Sequence, residues 1–228
     1  MKNLNQYIKE NLSGKKYILT DETKVVNGKT LHRIQAIKSF GDVREDDLGG
    51  FIEKEDNLSH DGDCWVANDA CVFDNALITD NAKVSNNAMV YDDAKIYNNA
   101  MIYDNAKVYG RVRVNNEVNI YDNAEVYDYV VLKDEASIYG KAKVYKHASV
   151  IGNAQVYGEA KVFDYVEVED DVQVYEFAEI SGKAILSDSA KVYGNAKVYD
   201  EALVYGNAHV CGNAKVNYRV YGNTKINE

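Results

Sequence analysis

This chain of 228 residues has no proline, one tryptophan, three cysteines and no basic run of five or more residues. The three cysteines (Cys64, Cys71, Cys211) form no CxxC pair, which excludes a disulfide framework and points to a reduced, cytoplasmic setting. With 26 Lys and Arg against 36 Asp and Glu, the formal charge is −10. Phosphate contacts need clustered cations, so nucleic acid is not expected as a direct ligand. An anionic membrane surface is disfavoured on the same ground. No stretch approaches about eighteen apolar residues, and the opening MKNLNQYIKENL lacks the apolar core of a signal peptide.

What the chain has instead is nineteen tyrosines and a count of six. From Val66 to Val216 every sixth residue is Val, Ile or Leu, through twenty-six hexads without an insertion. Four places after each sits Ala, or Val at Val112, Val118, Val130, Val166, Val172 and Val220. Such a repeat decides the architecture before any single residue does. In the hexad Val-Tyr-Asp-Asn-Ala-Lys, the aliphatic residue and the small one four later must both face inward. A flat strand only alternates its side chains, so each hexad is a short strand followed by a bend. Asp, Asn or Gly at the third and fourth places supply that bend, because they tolerate left-handed backbone angles.

The residue after each aliphatic position shows how many hexads close a coil. Sorted by threes, one face reads Phe73, Tyr91, Tyr109, Tyr127, Tyr145, Phe163, Ser181, Tyr199. A second reads Ser85, Tyr103, Tyr121, Tyr139, Tyr157, Tyr175, Tyr193, Cys211, and the third is mixed (Thr79, Tyr97, Asn115, Lys133, Ile151, Glu169). Sorting by twos gives no such separation. The fold expected is all-β: a triangular prism of parallel strands, about 18 residues per coil, with coils ~4.8 Å apart. Stacked aliphatic columns form its core, and the two tyrosine faces stack their rings along the prism.

Residues 1–65 break the count and are expected to form a small α/β cap, with 66–228 as the parallel β-helix. Leu4, Tyr7, Ile8 and Leu12 share one face of a short helix, and Tyr17–Thr20 and Leu31–Ile37 read as strands joined at Asn27-Gly28. An open solenoid end exposes apolar core and unpaired backbone, so a cap belongs there. Near the other end the register slips, Val216 being followed by Val220 and Ile226.

Three surfaces stand out as candidate sites. On the corner after the first face the bend residues run Asn75, Asp93, Arg111, Tyr129, His147, Tyr165, Lys183, Glu201. Five consecutive coils abandon Asn and Asp there, and Lys146 lies beside them. Arg111, Tyr129, Lys146, His147, Tyr165 and Lys183 read as a basic-aromatic binding ridge, flanked by Tyr127, Tyr145 and Phe163. The third face carries Leu77, Val131, Ile151, Ile185 and Leu203 where the others carry Tyr and Lys, an aliphatic strip suited to a partner or to self-association as a dimer or trimer. The tyrosine columns themselves are the third, as a stacking surface for sugars.

The hexad, an aliphatic residue followed four places on by a small one, resembles the transferase-type hexapeptide repeat. That resemblance implies a left-handed coil. The stretches Leu31–Ile37, Phe40-Gly41-Asp42-Val43, Asp47-Leu48-Gly49-Gly50, Asn57-Leu58-Ser59 and Gly62-Asp63-Cys64-Trp65 are similar to the front of YdcK-like hexapeptide-repeat proteins of bacteria, prophages and phages. Acyltransferases of the wider class act as trimers on acyl-CoA with a catalytic His, which makes that activity the alternative reading. Here only His32, His60, His147 and His209 are available, and no loop interrupts the coils. No Ser–His–Asp signature, phosphate loop or HExxH is present, and His60, Cys64 and Cys71 are spaced too loosely for a zinc set. No cofactor and no metal are expected. The leading expectation is a non-catalytic rod that binds another protein, for instance a phage-borne inhibitor of a host defence nuclease.

Overall fold

A computed structural model describes residues 12–228. Three strands open the described chain: β1 (Tyr17–Val26), β2 (Lys29–Ala36) and β3 (Leu48–Ile52). β1 and β2 pair antiparallel through the turn at Asn27-Gly28, where both residues have positive φ (51° and 77°). β3 pairs antiparallel with β2 and parallel with Cys71–Val72, which joins this front sheet to the solenoid without a break. Of the expected short helix, Leu4, Tyr7 and Ile8 lie outside the described residues, and Leu12 sits in a turn.

The rest is a parallel β-solenoid of two-residue strands. Its three sheets hold twelve, ten and nine strands; ten strands of the first, starting with β3, run parallel. The first face carries Val72, Val90 and Val108, the second Val84, Ile102 and Ile120, and the third Ile78, Ile96 and Val114. Coiling begins at β3, ahead of Val66. Ile52 pairs with Val72 and Leu58 bridges to Ile78, twenty residues apart, because Ser59–Trp65 holds two residues more than a hexad allows. At the far end the opposite change occurs, and Val204 pairs with Val220 sixteen residues on.

From Asn68 to Gly212 each bend residue at the third place sits at positive φ, such as Asp92 at 57°, Asp122 at 57°, Asn116 at 63°, and Gly at 110, 140, 152, 158 and 182. That twist would leave its N–H without a partner. Where the bend residue one coil earlier is Asp, its side chain can accept it, as Asp92 Oδ2 does from Gly110 (3.1 Å), Asp122 Oδ2 from Gly140 (3.0 Å) and Asp188 Oδ2 from Gly206 (2.9 Å). Aspartate is thus favoured twice, once for its left-handed backbone and once as an acceptor. Between bends the backbone runs coil to coil, with Lys107 N–H to Ala124 O at 2.9 Å and Tyr109 N–H to Val126 O at 3.0 Å.

The inward Val, Ile, Leu and Ala columns are buried along the whole prism, and Tyr17, Ile34, Ile52 and Leu58 of the front segment join the same core. Each buried aliphatic side chain contributes ~1.5–3 kcal/mol before entropy costs. One buried polar residue holds the first coil. Asn57 Oδ1 accepts from Lys54 N–H (2.9 Å), and its Nδ2 donates to Asp74 O (3.2 Å) and Ala76 O (2.8 Å). Asn57→Ala leaves three backbone groups without their partner, at ~1–3 kcal/mol for each that stays dry. A loss of about 3 kcal/mol in urea denaturation is expected, and a loss under about 1 would mean water satisfies them.

Candidate functional site

The tyrosine columns form two continuous ladders. Phe73, Tyr91, Tyr109, Tyr127, Tyr145 and Phe163 stack at 4.8–5.0 Å, within 8° of parallel. Tyr103, Tyr121, Tyr139, Tyr157, Tyr175 and Tyr193 do the same on the second face at 4.8–4.9 Å. The spacing is the coil repeat, so the rings follow the backbone without adjusting. Each interior ring has both faces covered by neighbours and shows solvent only an edge. A sugar stacks on a face, and the ladder interiors offer none. Burial holds these phenols protonated: Tyr91, Tyr109, Tyr127 and Tyr139 are each pushed up to about 12, with nearby tyrosines or carboxylates adding to the effect.

The first corner carries a third, shorter stack, and it is exposed. Tyr129 and His147 lie 4.9 Å apart and 15° from parallel, His147 and Tyr165 4.8 Å apart and 2°. Arg111 lies over Tyr129 with its guanidinium carbon 5.6 Å from the ring centre. Tyr129 is 50% and Tyr165 61% exposed, against complete burial for Val130 and Val166 beside them. The larger inward valine is therefore a matter of core volume, while the ring stack stands outside it.

The ridge is aromatic without being basic. Arg111 Nε lies 3.6 Å from Asp93, Lys146 Nζ 2.6 Å from Asp164 and Lys183 Nζ 3.7 Å from Glu201, so each cation is already paired. Lys146 also holds the left-handed bend (φ 59°), its N–H donating to Asp128 Oδ2 at 3.1 Å and its ammonium 5.2 Å from the Phe163 ring centre. The Lys146 hydrogen bond, reinforced by the Gly182 N–H, holds the Asp164 carboxyl below its usual range. Lys183 lies one coil beyond Tyr165 and takes part in no stack.

The aliphatic residues do not form one strip. Leu77, Val131, Ile185 and Leu203 share a column of the third face, but Lys95, Arg113, Ser149 and Glu167 stand between them. Only Ile185 and Leu203 are direct partners, and Ile151 belongs to the column two residues on. Sorting by face alone hid this alternation. It also passed over Phe177, 57% exposed on the corner after the second face, where Asn105, Asn123 and Asn195 occupy the same place. That substitution is the same departure from the bend rule as Tyr129, on another edge.

The histidines divide by environment. His32 Nδ1 lies 3.2 Å from Thr20 O, and His209 meets Tyr193 edge-on at 6.1 Å. His60 packs against Tyr17 with ring centres 4.3 Å apart and planes tilted by 30°, accepts Lys16 N–H at 3.3 Å and lies 3.9 Å from Glu55; burial lowers its pKa. All three cysteines are free and buried, Cys71 on the outward side under Leu31 and Phe51. Among the described residues no cluster of His, Cys, Asp and Glu is arranged to hold a metal ion, and no helix is long and apolar enough to cross a membrane.

Compared with known proteins, the chain matches no family and no curated protein.

Proposed function

We propose that this chain is a non-catalytic rod that binds another protein through the corner stack Tyr129–His147–Tyr165. The observation that carries this is the stack itself: three rings in contact, held at the coil repeat and largely open to solvent. Aromatic side chains already fixed in one geometry lose little entropy on binding, and rings of this kind dominate the energetics of protein interfaces. The charges around them are paired, so the ridge supplies contact area, while the net charge of −10 steers a basic partner toward the rod.

The resemblance of the front segment to YdcK-like proteins of phages and prophages suggests the kind of partner. A left-handed hexapeptide coil carried by a phage fits an inhibitor of a host protein, and a defence nuclease with a basic groove complements this surface. The experiment is a pull-down from bacterial lysate with wild type and the triple variant Tyr129→Ala/His147→Ala/Tyr165→Ala. A stoichiometric partner is expected, its affinity reduced ~1,000-fold or more in the variant, as two or more lost hot spots of ~2 kcal/mol each require. Circular dichroism should stay unchanged. A partner held equally by both proteins removes the site from the ridge, and acyl-CoA turnover by the wild type would replace the reading with the acyltransferase one.

A further inference from the structure

The two long ladders end differently at the front of the molecule. The first is closed: Phe73 is 1% exposed, packed under Leu31, Phe51 and Cys71. The second stops at Tyr103. One coil above it, where the register calls for another ring, stands Ser85, and above that Ala67. Among the described residues no ring covers the upper face of Tyr103. The loop leading into β3 walls this gap from the side, and the result is a cleft of about 570 Å³ bounded by Val43, Leu48, Trp65, Ser85, Met101 and Tyr103. That volume is in the range of small-molecule sites.

Shape and charge both restrict what fits. A ring placed over Ser85 stands one ladder step above Tyr103, and every step below it is 4.8–4.9 Å between the centres of nearly parallel rings. A flat ring over Ser85 continues that series. Leu48 (58% exposed) and Met101 (43% exposed) are apolar groups left uncovered on the rim, in reach of a ring's edge. The cleft also meets Asp42, Asp47 and Lys83; Lys83 is taken by Asp42 at 2.6 Å, which leaves Asp47, whose Oδ2 accepts the Arg44 N–H at 2.8 Å, as the charge with no ion-pair partner among the described residues. Anionic ligands are repelled there, and a cationic substituent is attracted.

We propose that this cleft is a binding site for a small molecule bearing a flat aromatic ring, neutral or cationic, whose ring sits over Ser85 and continues the Tyr103 ladder. Tyr103 supplies the stacking face, Leu48 and Met101 the apolar edges, and Asp47 the charge preference. The site lies at the front of the second face and is separate from the corner stack proposed to bind protein.

The test uses the full chain and three probes that share one ring: tryptamine, indole and indole-3-acetate. Binding is followed by ligand NMR, where a ring stacked on Tyr103 moves its proton signals upfield. Tryptamine is expected to bind at least as well as indole, and indole-3-acetate at least tenfold more weakly than tryptamine. Ser85→Tyr fills the slot with a seventh ring of the protein's own and should weaken tryptamine at least tenfold while leaving Tm equal or higher. Leu48→Ser, on the opposite wall and already exposed, gives an independent loss of several-fold that does not depend on how Ser85→Tyr folds. No upfield shift with any probe, tryptamine binding retained in both variants, or a preference for indole-3-acetate would each overturn the proposal.

Discussion

Gly50→Ala is expected to cost the protein about 4 kcal/mol, against about 1 kcal/mol for Gly28→Ala. The two glycines serve different physical needs. Gly28 has φ +77° in a turn and open space around it, so an added methyl meets only the left-handed penalty. Gly50 lies outside that region of φ, yet a Cβ there would come 2.6 Å from Ala70 O and 2.8 Å from Val66 Cγ1. Ala70 O accepts the Phe51 N–H at 2.9 Å, and Val66 is completely buried, so neither can withdraw without opening the first coil. Gly49 is confined in the same way, by Ile34, Trp65 and Val66. These two residues let β3 pass close enough to join the front sheet to the solenoid. In a repeat protein such damage stays local. The front strands should release first while the later coils hold, splitting one unfolding transition into two. Trp65, the only tryptophan, sits at this junction and reports the first step by fluorescence; far-UV circular dichroism reports the second. Equal losses for Gly50→Ala and Gly28→Ala, within about 0.5 kcal/mol, would show that close approach is not the reason for the glycine.

The solenoid was readable because its rule holds without a break from Val66 to Val216. An aliphatic residue every six places and a small one four later leave one geometry open, and sorting the following residue by threes separates two tyrosine faces from a mixed one. The stacks Tyr91–Tyr109 and Tyr121–Tyr139 are that sorting in three dimensions. The first coil was not readable by counting. Ile52 and Leu58 keep the spacing of six, but two extra residues before Val66 shift the phase, and only the pairing Ile52 to Val72 reveals that the winding has begun. The ridge was half readable. Its exposed rings follow from the missing Asn and Asp, whereas its charge depends on partners in adjacent coils. Asp93 and Glu201, in the same column as Arg111 and Lys183, were the available signal for that neutrality. The aliphatic strip fails for the opposite reason: its residues share a face, but a column alternates in composition from coil to coil, and a face is not a column.

The ladders also set an upper pH limit on the fold. A tyrosine in an unfolded chain ionises near pH 10. Within the ladders Tyr91, Tyr109, Tyr127 and Tyr139 keep their protons to about 12, first because burial disfavours the phenolate. Neighbouring phenols raise Tyr109, Tyr127 and Tyr139 further, since two phenolates one coil apart repel. Between those two pH values the unfolded chain binds fewer protons than the folded one, so stability falls as pH rises. Below about pH 10 both states are protonated at these sites and the ladders add no pH dependence. Several residues acting in the same direction make the fall steep, and the protein is expected to unfold cooperatively between about pH 10 and 12. Near-UV phenolate absorbance and loss of far-UV circular dichroism should then rise together. A double variant, Tyr109→Phe/Tyr127→Phe, keeps two stacked rings that cannot ionise, and its midpoint should move to higher pH. Phenolate signal complete near pH 10 with the sheets intact would mean the ladder edges are as well solvated as free tyrosine, and the same midpoint in the double variant would place the alkaline weakness outside the ladders.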